Sequence, residues 1–476
     1  MFLIEKGLSR RVALIERRLA SSNITPEARE RLKALLAALN ERIKRLRDQI
    51  NEQCEDYAQP PEQPQNPGSV SNRGLIQRGC YSQSPVMFPI PEGTFPKGYA
   101  AADFDNDGDT DVIGVSQSGG LATIARNNAQ GMFDLSMLFK DGEDPGIGAN
   151  DHPNNTAAGD LDGDGDLDLV VASNHTISIL MNRHSQGGRD FDPAPINLVT
   201  GNFGVTSMAV ADLNGDGKED IVFKSYGRRV DGRWVSPVGV LINRSSADQI
   251  VFSEAALIGR SLPVNSVRSV ISLGNVLGNA APDIILPVAA SSGSDGPAFL
   301  AVFENRGDGT FKEPIRVPVG VFLPAQGIAV DLNQDGLNEI VIVDRVSGMV
   351  RVLAKRLGSF VALRPIFQSD RNYAASMLIS GDVNRDGFPD IVIASDNGWG
   401  SPRNNMPVVL YGNGTLELSS PEQVELGDPF DPAARYSSPN HARNISLSDL
   451  NGDDAPDTLM LDWFNAVLAA KNQCIG

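Results

Sequence analysis

Apolar residues recur at heptad spacing near the start of the chain. The first series is Leu8, Val12, Ile15 and Leu19, and the second, after Pro26, is Leu32, Leu36, Leu39, Ile43, Leu46 and Ile50. This spacing places apolar side chains on one face of a helix and is typical of a coiled-coil seam. The pattern predicts an N-terminal α-helical hairpin or coiled coil over residues 1–54. Residues 8–52 either pair within one chain or associate with other copies in a homo-oligomer or an assembly.

The pattern changes after residue 54. Residues 55–79 contain Pro60, Pro61, Pro64 and Pro67 among Gln, Asn and Gly, which predicts a semi-extended linker. Residues 80–476 then alternate short apolar runs with turns rich in Gly, Asn and Asp, which indicates many short strands. We therefore expect a helical stalk, a linker and an all-β domain.

A nine-residue acidic pattern, Asp-x-Asp/Asn-x-Asp-Gly-x-x-Asp, recurs along the all-β region and is followed each time by an apolar strand-like run. Positions 1, 3, 5, 7 and 9 of its copies are Asp103, Asp105, Asp107, Asp109 and Asp111; Asp160, Asp162, Asp164, Asp166 and Asp168; Asp212, Asn214, Asp216, Lys218 and Asp220; Asp331, Asn333, Asp335, Leu337 and Glu339; Asp382, Asn384, Asp386, Phe388 and Asp390; and Asp449, Asn451, Asp453, Ala455 and Asp457. A further degenerate copy, Asn275, Leu277, Asn279 and Asp283, has lost most carboxylates. The pattern thus occurs seven times.

The spacing of these residues suits calcium. This hard cation takes about 6–8 oxygen ligands, and side chains at positions 1, 3, 5 and 9 with the carbonyl at position 7 can surround it when position 6 permits a sharp turn. An EF-hand would need Glu at position 12 and flanking helices, whereas here strand-like sequence follows position 9. We expect about four to six Ca²⁺ sites, none at Asn275 and a weakened one at Asp449, where Asp454 replaces the usual Gly.

Each acidic loop belongs to a unit with four predicted strands, the size of one propeller blade. The loop, the following strand and turns such as Asn305–Phe311 resemble the FG-GAP or VCBS repeats of the integrin α-subunit head and of bacterial surface proteins. The resemblance covers roughly residues 80–476. It implies a seven-bladed β-propeller with calcium in the hairpin between the first and second strands of a blade.

The two ends of the all-β region predict how such a ring closes. The last unit ends after its third strand at Ala466–Ala470, and residues 80–90 resemble a fourth strand that has no blade of its own. We expect the N-terminal segment to complete the last blade. Cys80 and Cys474 then lie at one hairpin end, and we predict a disulfide between them; the alternative is two free thiols in a reducing cell. Cys54 is left over and could link protomers.

Charge narrows the classes of partner. The net charge of −18 argues against nucleic acid, whose phosphates it would repel, although basic residues outnumber acidic ones in residues 1–52.

No apolar run reaches the ~18 residues of a transmembrane helix. The segment from Met1 to Gly7 is too short and too soon charged for a signal-peptide core, so we expect no ordinary export signal there.

The sequence favours binding over catalysis. None of the four His residues forms a metal or nucleophile motif with its neighbours, and no phosphate loop is present. We expect that this protein is not an enzyme. Candidate residues for binding a protein or glycan lie in connections between predicted second and third strands: Tyr226, Arg228, Arg229, Trp234, Trp399 and Trp463. The leading interpretation is an adhesion module at an extracellular or cell surface, and the alternative is a structural or decoration component of a surface or virion assembly, docked through its N-terminal helices.

Overall fold

The structure is a computed structural model in which the chain divides into two units, Met1–Leu75 and Ile76–Gly476. In the first unit it describes Lys33, Leu36 and Ala37, each in helical conformation. The rest of the predicted coiled coil, and the linker at 55–79, lie outside the described residues. In the second unit it describes residues 86–89, 96–116, 122–127, 133–137, 155–173, 176–187, 191–192, 194–200, 204–225, 228–230, 233–246, 249–260, 262, 269–279, 281–289, 297–321, 323–356, 358–368, 375–395, 407–419, 421–423, 445–451, 455–462 and 466–470.

The second unit is built from short strands. In chain order they are β1 (Val86–Pro89), β2 (Pro96–Ala102), β3 (Asp111–Ser116), β4 (Ala122–Asn127), β5 (Phe133–Met137), β6 (Asn155–Gly159), β7 (Asp168–Ala172), β8 (Thr176–Leu180), β9 (Ile196–Val199), β10 (Val205–Ala211), β11 (Asp220–Ser225), β12 (Arg228–Val230), β13 (Arg233–Val235), β14 (Val238–Leu241), β15 (Ala256–Ile258), β16 (Ser272–Gly274), β17 (Asp283–Val288), β18 (Phe299–Phe303), β19 (Ile315–Pro318), β20 (Pro324–Val330), β21 (Glu339–Asp344), β22 (Met349–Arg356), β23 (Ser359–Gln368), β24 (Ala375–Gly381), β25 (Asp390–Ser395), β26 (Val408–Leu410), β27 (Glu422–Gln423), β28 (Ile445–Ser448), β29 (Asp457–Asp462) and β30 (Ala466–Ala470). A 3₁₀ turn at His184–Gln186 separates β8 from β9.

The described strands form seven four-stranded sheets and one two-stranded sheet. We name the four-stranded sheets A (β2 to β5), B (β6 to β9), C (β10, β11, β14 and β15), D (β16 to β19), E (β20 to β23), F (β24 to β27) and G (β28, β29, β30 and β1). The two-stranded sheet is the β12–β13 hairpin, inserted between the second and third strands of sheet C. Neighbouring strands pair antiparallel, as in the hairpin from β2 to β3.

The second strand of a sheet is enclosed on both faces. Every residue of β7, β11, β17 and β21 is buried, whereas the outer strand β19 is mostly exposed. A strand covered on both sides requires apolar side chains at successive positions, which the sequence supplies in runs such as Leu169-Val170-Val171. Burial of these strands explains why the acidic pattern is always followed by an apolar run.

Hydrophobic clusters fill the spaces between successive sheets. They occur at the junctions A/B, B/C, C/D, D/E, E/F, F/G and G/A. At the last junction Tyr99, Val112 and Ala125 of sheet A pack against Leu450 and Leu459 from sheet G and its first hairpin. Four-stranded sheets packed side by side around a ring form a β-propeller. The predicted all-β propeller is therefore confirmed.

Sheet G joins the two ends of the propeller region. Strand β1 pairs antiparallel with β30, with Val86 opposite Ala469 and Pro89 opposite Ala466. The sequence predicts this pairing, because the last unit lacks a fourth strand of its own. Cys80 and Cys474 lie outside the described residues, so their disulfide stays a prediction, as does the role of Cys54.

The sequence predicts no transmembrane helix. Among the described residues, no helix is both long enough and apolar enough to cross a lipid bilayer.

The junction between sheets A and G offers a first test. The buried Tyr99 hydroxyl donates to the Leu459 carbonyl at 3.0 Å and lies 2.8 Å from Ser446 Oγ. We expect Tyr99→Phe to lower the free energy of unfolding by about 1–2 kcal/mol, because the buried carbonyl loses its donor. Urea denaturation of the two proteins in the same buffer measures the change. An unaltered midpoint would show that this bond does not stabilise the closure.

Candidate metal-binding loops

The acidic repeats form the connections between the first and second strands of the sheets. We name them loops A (103–111), B (160–168), C (212–220), D (275–283), E (331–339), F (382–390) and G (449–457), after the sheets they serve. The ninth residue of each opens the second strand, from Asp111 in β3 to Asp457 in β29. The structure therefore places these loops where the sequence predicts them.

Two positions of these loops adopt left-handed backbone. Position 6 is Gly108, Gly165, Gly217, Gly336 and Gly387 in loops A, B, C, E and F, with φ of 102°, 94°, 85°, 87° and 88°. No neighbouring atom would clash with a Cβ at these glycines, so the requirement is conformational rather than spatial. Position 4 is also left-handed, at Asn106, Gly163, Gly215, Gly278, Gln334 and Arg385. Sequence analysis missed this second turn because Gly, Asn, Gln and Arg share no obvious pattern.

In loops A, B, C, E and F the first carboxylate accepts backbone N–H groups of its own loop. Asp160 Oδ1 accepts the Gly163 N–H at 2.8 Å, and its Oδ2 accepts the Gly165 N–H at 3.1 Å. Asp103, Asp212, Asp331 and Asp382 likewise accept the position 6 N–H in their own loops. The position 5 carboxylate accepts the position 7 N–H, as Asp107 does from Asp109 at 2.9 Å. These bonds fix the orientation of the position 1 and position 5 carboxylates within the loop.

Carboxylates converge in loops A and B. One oxygen each from Asp103, Asp105 and Asp111 lie within 4.8 Å of one another, and the same holds for Asp160, Asp162 and Asp168. Asp103 Oδ1 and Asp105 Oδ1 are buried and accept no hydrogen bond. Buried oxygens without a donor are costly unless a cation satisfies them. This all-oxygen set fits a hard cation such as Ca²⁺ and does not suit softer, thiolate-preferring metals.

Burial and like charge raise the pKa values of these acids. Burial raises the pKa of Asp111 to about 7 and that of Asp168 to about 8, even though backbone N–H donors act in the opposite direction. Neighbouring carboxylates add to the increase in both. The pKa values of Asp103, Asp105 and Asp160 are also raised, chiefly by burial. Without a cation, these loops hold their protons well above the usual pH range of an aspartate.

Arginines approach both convergent clusters. Arg183, in the turn after β8, places Nη1 2.5 Å from Asp162 Oδ2 and 3.4 Å from Asp164 Oδ2. Arg126, near the end of β4, places Nε 3.4 Å from Asp105 Oδ2. Gln186 Nε2 also donates to Asp164 Oδ2 at 2.9 Å. Sequence analysis missed these residues, since they lie in the third-strand hairpins and not in the repeat.

Loops C, E and F carry fewer carboxylates. Asn replaces Asp at position 3, and its amide donates to the position 5 carboxylate: Asn214 to Asp216 at 3.2 Å, Asn333 to Asp335 at 3.1 Å and Asn384 to Asp386 at 2.9 Å. Burial nevertheless raises the position 9 pKa to about 6 in Asp220, Glu339 and Asp390. These loops keep the shape of loops A and B with a lower charge.

The position 7 residues contribute backbone rather than a common side chain. They are Asp109, Asp166, Lys218, Leu337, Phe388 and Ala455. In loops A, B, C, E and F their N–H groups donate to the position 5 carboxylate, which holds the backbone immediately before the carbonyl that the sequence predicts as a ligand. The Asp166 carboxylate itself is occupied by other donors, Asn106 Nδ2 at 2.7 Å and the Ser185 N–H at 2.9 Å.

Loops D and G depart from the pattern. In loop D, Asn275 Oδ1 accepts the Gly278 N–H at 2.8 Å, and Asn279 Nδ2 donates to the Asn305 carbonyl. Asp283 is the one carboxylate at its repeat positions, and the expectation that loop D binds no calcium stays a prediction. In loop G, Asp449 accepts the Asn451 N–H at 3.2 Å, while Asp453 lies outside the described residues.

The position 9 carboxylate has a structural role in every loop. One of its oxygens accepts the position 2 N–H in all seven loops, as Asp168 does from Leu161 at 2.9 Å. In sheets A, B, C, D and F the other oxygen accepts an N–H that follows or ends the third strand, as Asp168 does from Asn182 at 2.8 Å. Asp283 makes both bonds although loop D has lost its other acids. Sequence analysis assigned this position to metal binding alone.

The predicted rim residues are described only in part. Arg228, Arg229 and Trp234 belong to the backbone of the β12–β13 hairpin, with Arg229 opposite Trp234. Tyr226, Trp399 and Trp463 lie outside the described residues. The rim site stays a prediction.

Comparison with known proteins identifies the repeat. Residues 103–171, 160–223 and 331–393 each match the FG-GAP-like repeat. A search of curated proteins found no match. Among solved structures, one of a lectin from Agrocybe aegerita, described as specifically recognising non-reducing terminal N-acetylglucosamine, aligns with 19% identity and a TM-score of 0.49, covering 79% of this chain and 91% of that chain.

The raised pKa values predict an unusual pH dependence. In chelator, the folded state binds more protons than the unfolded state between about pH 4 and pH 8, because Asp111 and Asp168 keep protons that unfolded aspartates release. We therefore expect stability in chelator to fall as pH rises from 5.5 to 8.5. Calcium should remove this loss, since it replaces the protons. Thermal unfolding across this range, with and without calcium, measures both slopes, and rising stability in chelator would contradict the prediction.

Proposed function

The described domain is an FG-GAP β-propeller, and we propose that it is a calcium-stabilised, non-enzymatic module that binds a ligand. The observation that carries the calcium assignment is the convergence of three carboxylates in each of loops A and B, with the buried oxygens of Asp103 and Asp105 lacking any donor. A bound Ca²⁺ would supply the positive charge that lets these acids ionise together. Loops A and B are the strongest sites under this proposal.

We propose about four to six calcium sites in all. Loops C, E and F retain carboxylates at positions 1, 5 and 9 and the same hydrogen-bonded shape, which supports weaker sites there. Loop G keeps Asp449 and Asp457 and is the marginal candidate, while loop D, where Asp283 is the one acid left, is not among the proposed sites.

We further propose that the seven four-stranded sheets act as seven blades, with sheet G completed by β1. The continuous series of hydrophobic clusters from A/B to G/A supports this number. A disulfide between Cys80 and Cys474 would reinforce the same closure.

The ligand site is assigned to the rim opposite the acidic loops. In an antiparallel sheet the connections between second and third strands emerge at the other end from those between first and second strands. The β12–β13 hairpin, with Arg228, Arg229 and Trp234, extends from this rim, and its base is fixed by buried bonds between Ser236 Oγ and the Ser225 carbonyl and between Ser225 Oγ and the Pro237 carbonyl. Arg and Trp are enriched where binding energy concentrates. We propose a protein or glycan ligand, at an extracellular or cell surface.

A second candidate function is a structural or decoration role in a surface or virion assembly. The basic, heptad-patterned residues 8–52 favour it, because such a segment can dock or oligomerise while the acidic propeller projects. The mass of the full chain in solution separates the two: an oligomer supports multivalent display of the rim, and a monomer supports docking on an assembly.

The calcium proposal predicts a metal-dependent stability. In the full chain we expect calcium to raise the thermal midpoint above its value in chelator, with about four to six ions bound. At a calcium concentration of ~100 times Kd, one site contributes about 2.7 kcal/mol. Asp105→Asn should remove roughly one such contribution, because loop A loses a ligand, yet it should not destabilise the chelated protein, since it also removes repulsion.

The matched control is Glu254→Gln, which removes an exposed carboxylate just before β15, outside the acidic loops. It should leave the calcium response unchanged. If calcium neither binds nor shifts the midpoint, the loops are acidic turns and the calcium proposal is wrong.

A further inference from the structure

Four buried asparagines stand at equivalent places, at the end of a third strand or just after it. They are Asn127, Asn182, Asn243 and Asn305 of sheets A, B, C and D, and at most 4% of their surface is exposed. Buried amides need partners on both sides of the side chain. Their partners connect the acidic loop of one sheet with that of the preceding sheet.

Asn182 illustrates the connection. Its backbone N–H donates to Asp168 Oδ1 of loop B at 2.8 Å, and its Nδ2 donates to the Phe104 carbonyl of loop A at 2.7 Å. The Phe104 N–H in turn donates to Asp111 Oδ2 at 3.2 Å. The position 9 carboxylates of loops A and B are thus joined through one side chain and one peptide segment.

We call this connection, in which one Asn links the acidic loops of two successive sheets, the Asn relay. It recurs in the neighbouring sheets. Asn243 Nδ2 reaches the Leu161 carbonyl of loop B at 2.8 Å, Asn305 Nδ2 the Leu213 carbonyl of loop C at 2.8 Å, and Asn127 Nδ2 the Leu450 carbonyl of loop G at 2.6 Å. The relay therefore runs from loop D through C, B and A to loop G. Sheet E has Lys355 at this place, whose Nζ donates to the Leu277 carbonyl at 3.0 Å, and sheet F has Gly412, which has no side chain to donate.

Loops A and B share a second link. Asn106, at the exposed left-handed position 4 of loop A, donates from Nδ2 to Asp166 Oδ1 of loop B at 2.7 Å. Asp166 is also held by the Ser185 N–H at 2.9 Å. The two loops with convergent carboxylates are consequently the pair joined by both links.

We propose that Asn182 and Asn106 are positioning residues that couple the two sites, so that calcium bound in loop A strengthens calcium binding in loop B, and the reverse. This inference rests on the proposed calcium binding. A cation that orders loop A fixes the Phe104 carbonyl and the Asn106 amide, and loop B then has less freedom to lose when it binds its own ion. The coupling must be reciprocal.

The sign of the effect separates this mechanism from simple electrostatics. Loop A carries five aspartates, so calcium bound there reduces the negative potential felt at loop B and weakens attraction for a second cation. If charge alone coupled the loops, disabling loop A would leave loop B with equal or tighter binding. The relay requires weaker binding.

The experiment follows calcium binding locally in the full chain. Hydrogen exchange of peptides spanning residues 160–168 is measured over a calcium titration at pH 8, and the half-protecting calcium concentration reports on loop B. Asp105→Asn disables loop A. We expect it to raise this concentration at least about fivefold, a typical size for coupling between sites.

Variants of the relay carry the test. In an Asn182→Ala background, Asp105→Asn should change the half-protecting concentration less than twofold. The control Asn305→Ala removes the same kind of bond at the C/D junction and should keep the full fivefold effect. Asn106→Gly retains a residue suited to the left-handed backbone, as loops B and C do, and should reduce the coupling without unfolding risk. Its control is Gln334→Gly, which removes the bond from Gln334 Nε2 to the Gly387 carbonyl between loops E and F.

The outcomes are distinct. Coupling lost in Asn182→Ala and reduced in Asn106→Gly, but kept in both controls, supports the relay. Undiminished coupling in Asn182→Ala and Asn106→Gly, or tighter binding at loop B once loop A is disabled, overturns it while leaving calcium binding intact. Absence of any calcium-dependent protection in loops A and B of the unaltered protein overturns the proposed function as well.

Discussion

The propeller depends on a carboxylate buried at the start of each second strand. This group lies deep in the sheet, is at most 5% exposed in any of the seven loops, and accepts the backbone N–H of loop position 2 in each of them. Buried N–H groups without an acceptor cost about as much as a lost hydrogen bond. Asp283 shows that this duty does not require a metal, because loop D keeps the carboxylate after losing its other acids. The structural role is therefore the feature common to all seven loops, and the proposed cation binding is an addition to it.

Burial of this carboxylate makes its negative charge costly, and the loops reduce that cost to different degrees. Burial disfavours the charged form, so the pKa values rise to about 7 in Asp111 and about 8 in Asp168, where several further carboxylates surround the buried one. In loops C, E and F an asparagine amide donates to the position 5 acid and replaces one negative charge. Loop D has lost every acid except the buried Asp283 itself. The demand for a cation thus falls from loops A and B through C, E and F to D.

Much of the loop structure can be predicted from the sequence because it involves residues that are close together along the chain. The nine-residue spacing predicts the loop, its place between first and second strands and the buried run after it, and the missing fourth strand of the last unit predicts the pairing of β1 with β30. The contacts that join one sheet to the next were not predicted. Asn182 of sheet B meets loop A only after the two sheets pack side by side, and an asparagine in a Gly- and Asn-rich turn looks like ordinary turn chemistry. The left-handed position 4 escaped notice for a related reason, since four different residue types occupy it.

Sheets A and G, which meet where the ring closes, contact each other through the same kinds of interaction as consecutive sheets do. Each Asn relay points from a sheet to the preceding loop, and at the A/G junction Asn127 reaches the Leu450 carbonyl just as Asn182 reaches that of Phe104. Tyr99 adds a buried hydroxyl bond to Leu459, and Thr110 Oγ1 lies 2.6 Å from Ser448 Oγ. The junction between sheets A and G is therefore bridged by the same kind of bond as a junction between consecutive sheets, although Asn127 Oδ1 is buried there without a donor. Sheet G is assembled from both ends of the domain and can still close the ring. Strand β1 completes the outer edge of sheet G, and the contacts of sheet G with sheet A repeat the pattern found between the other sheets.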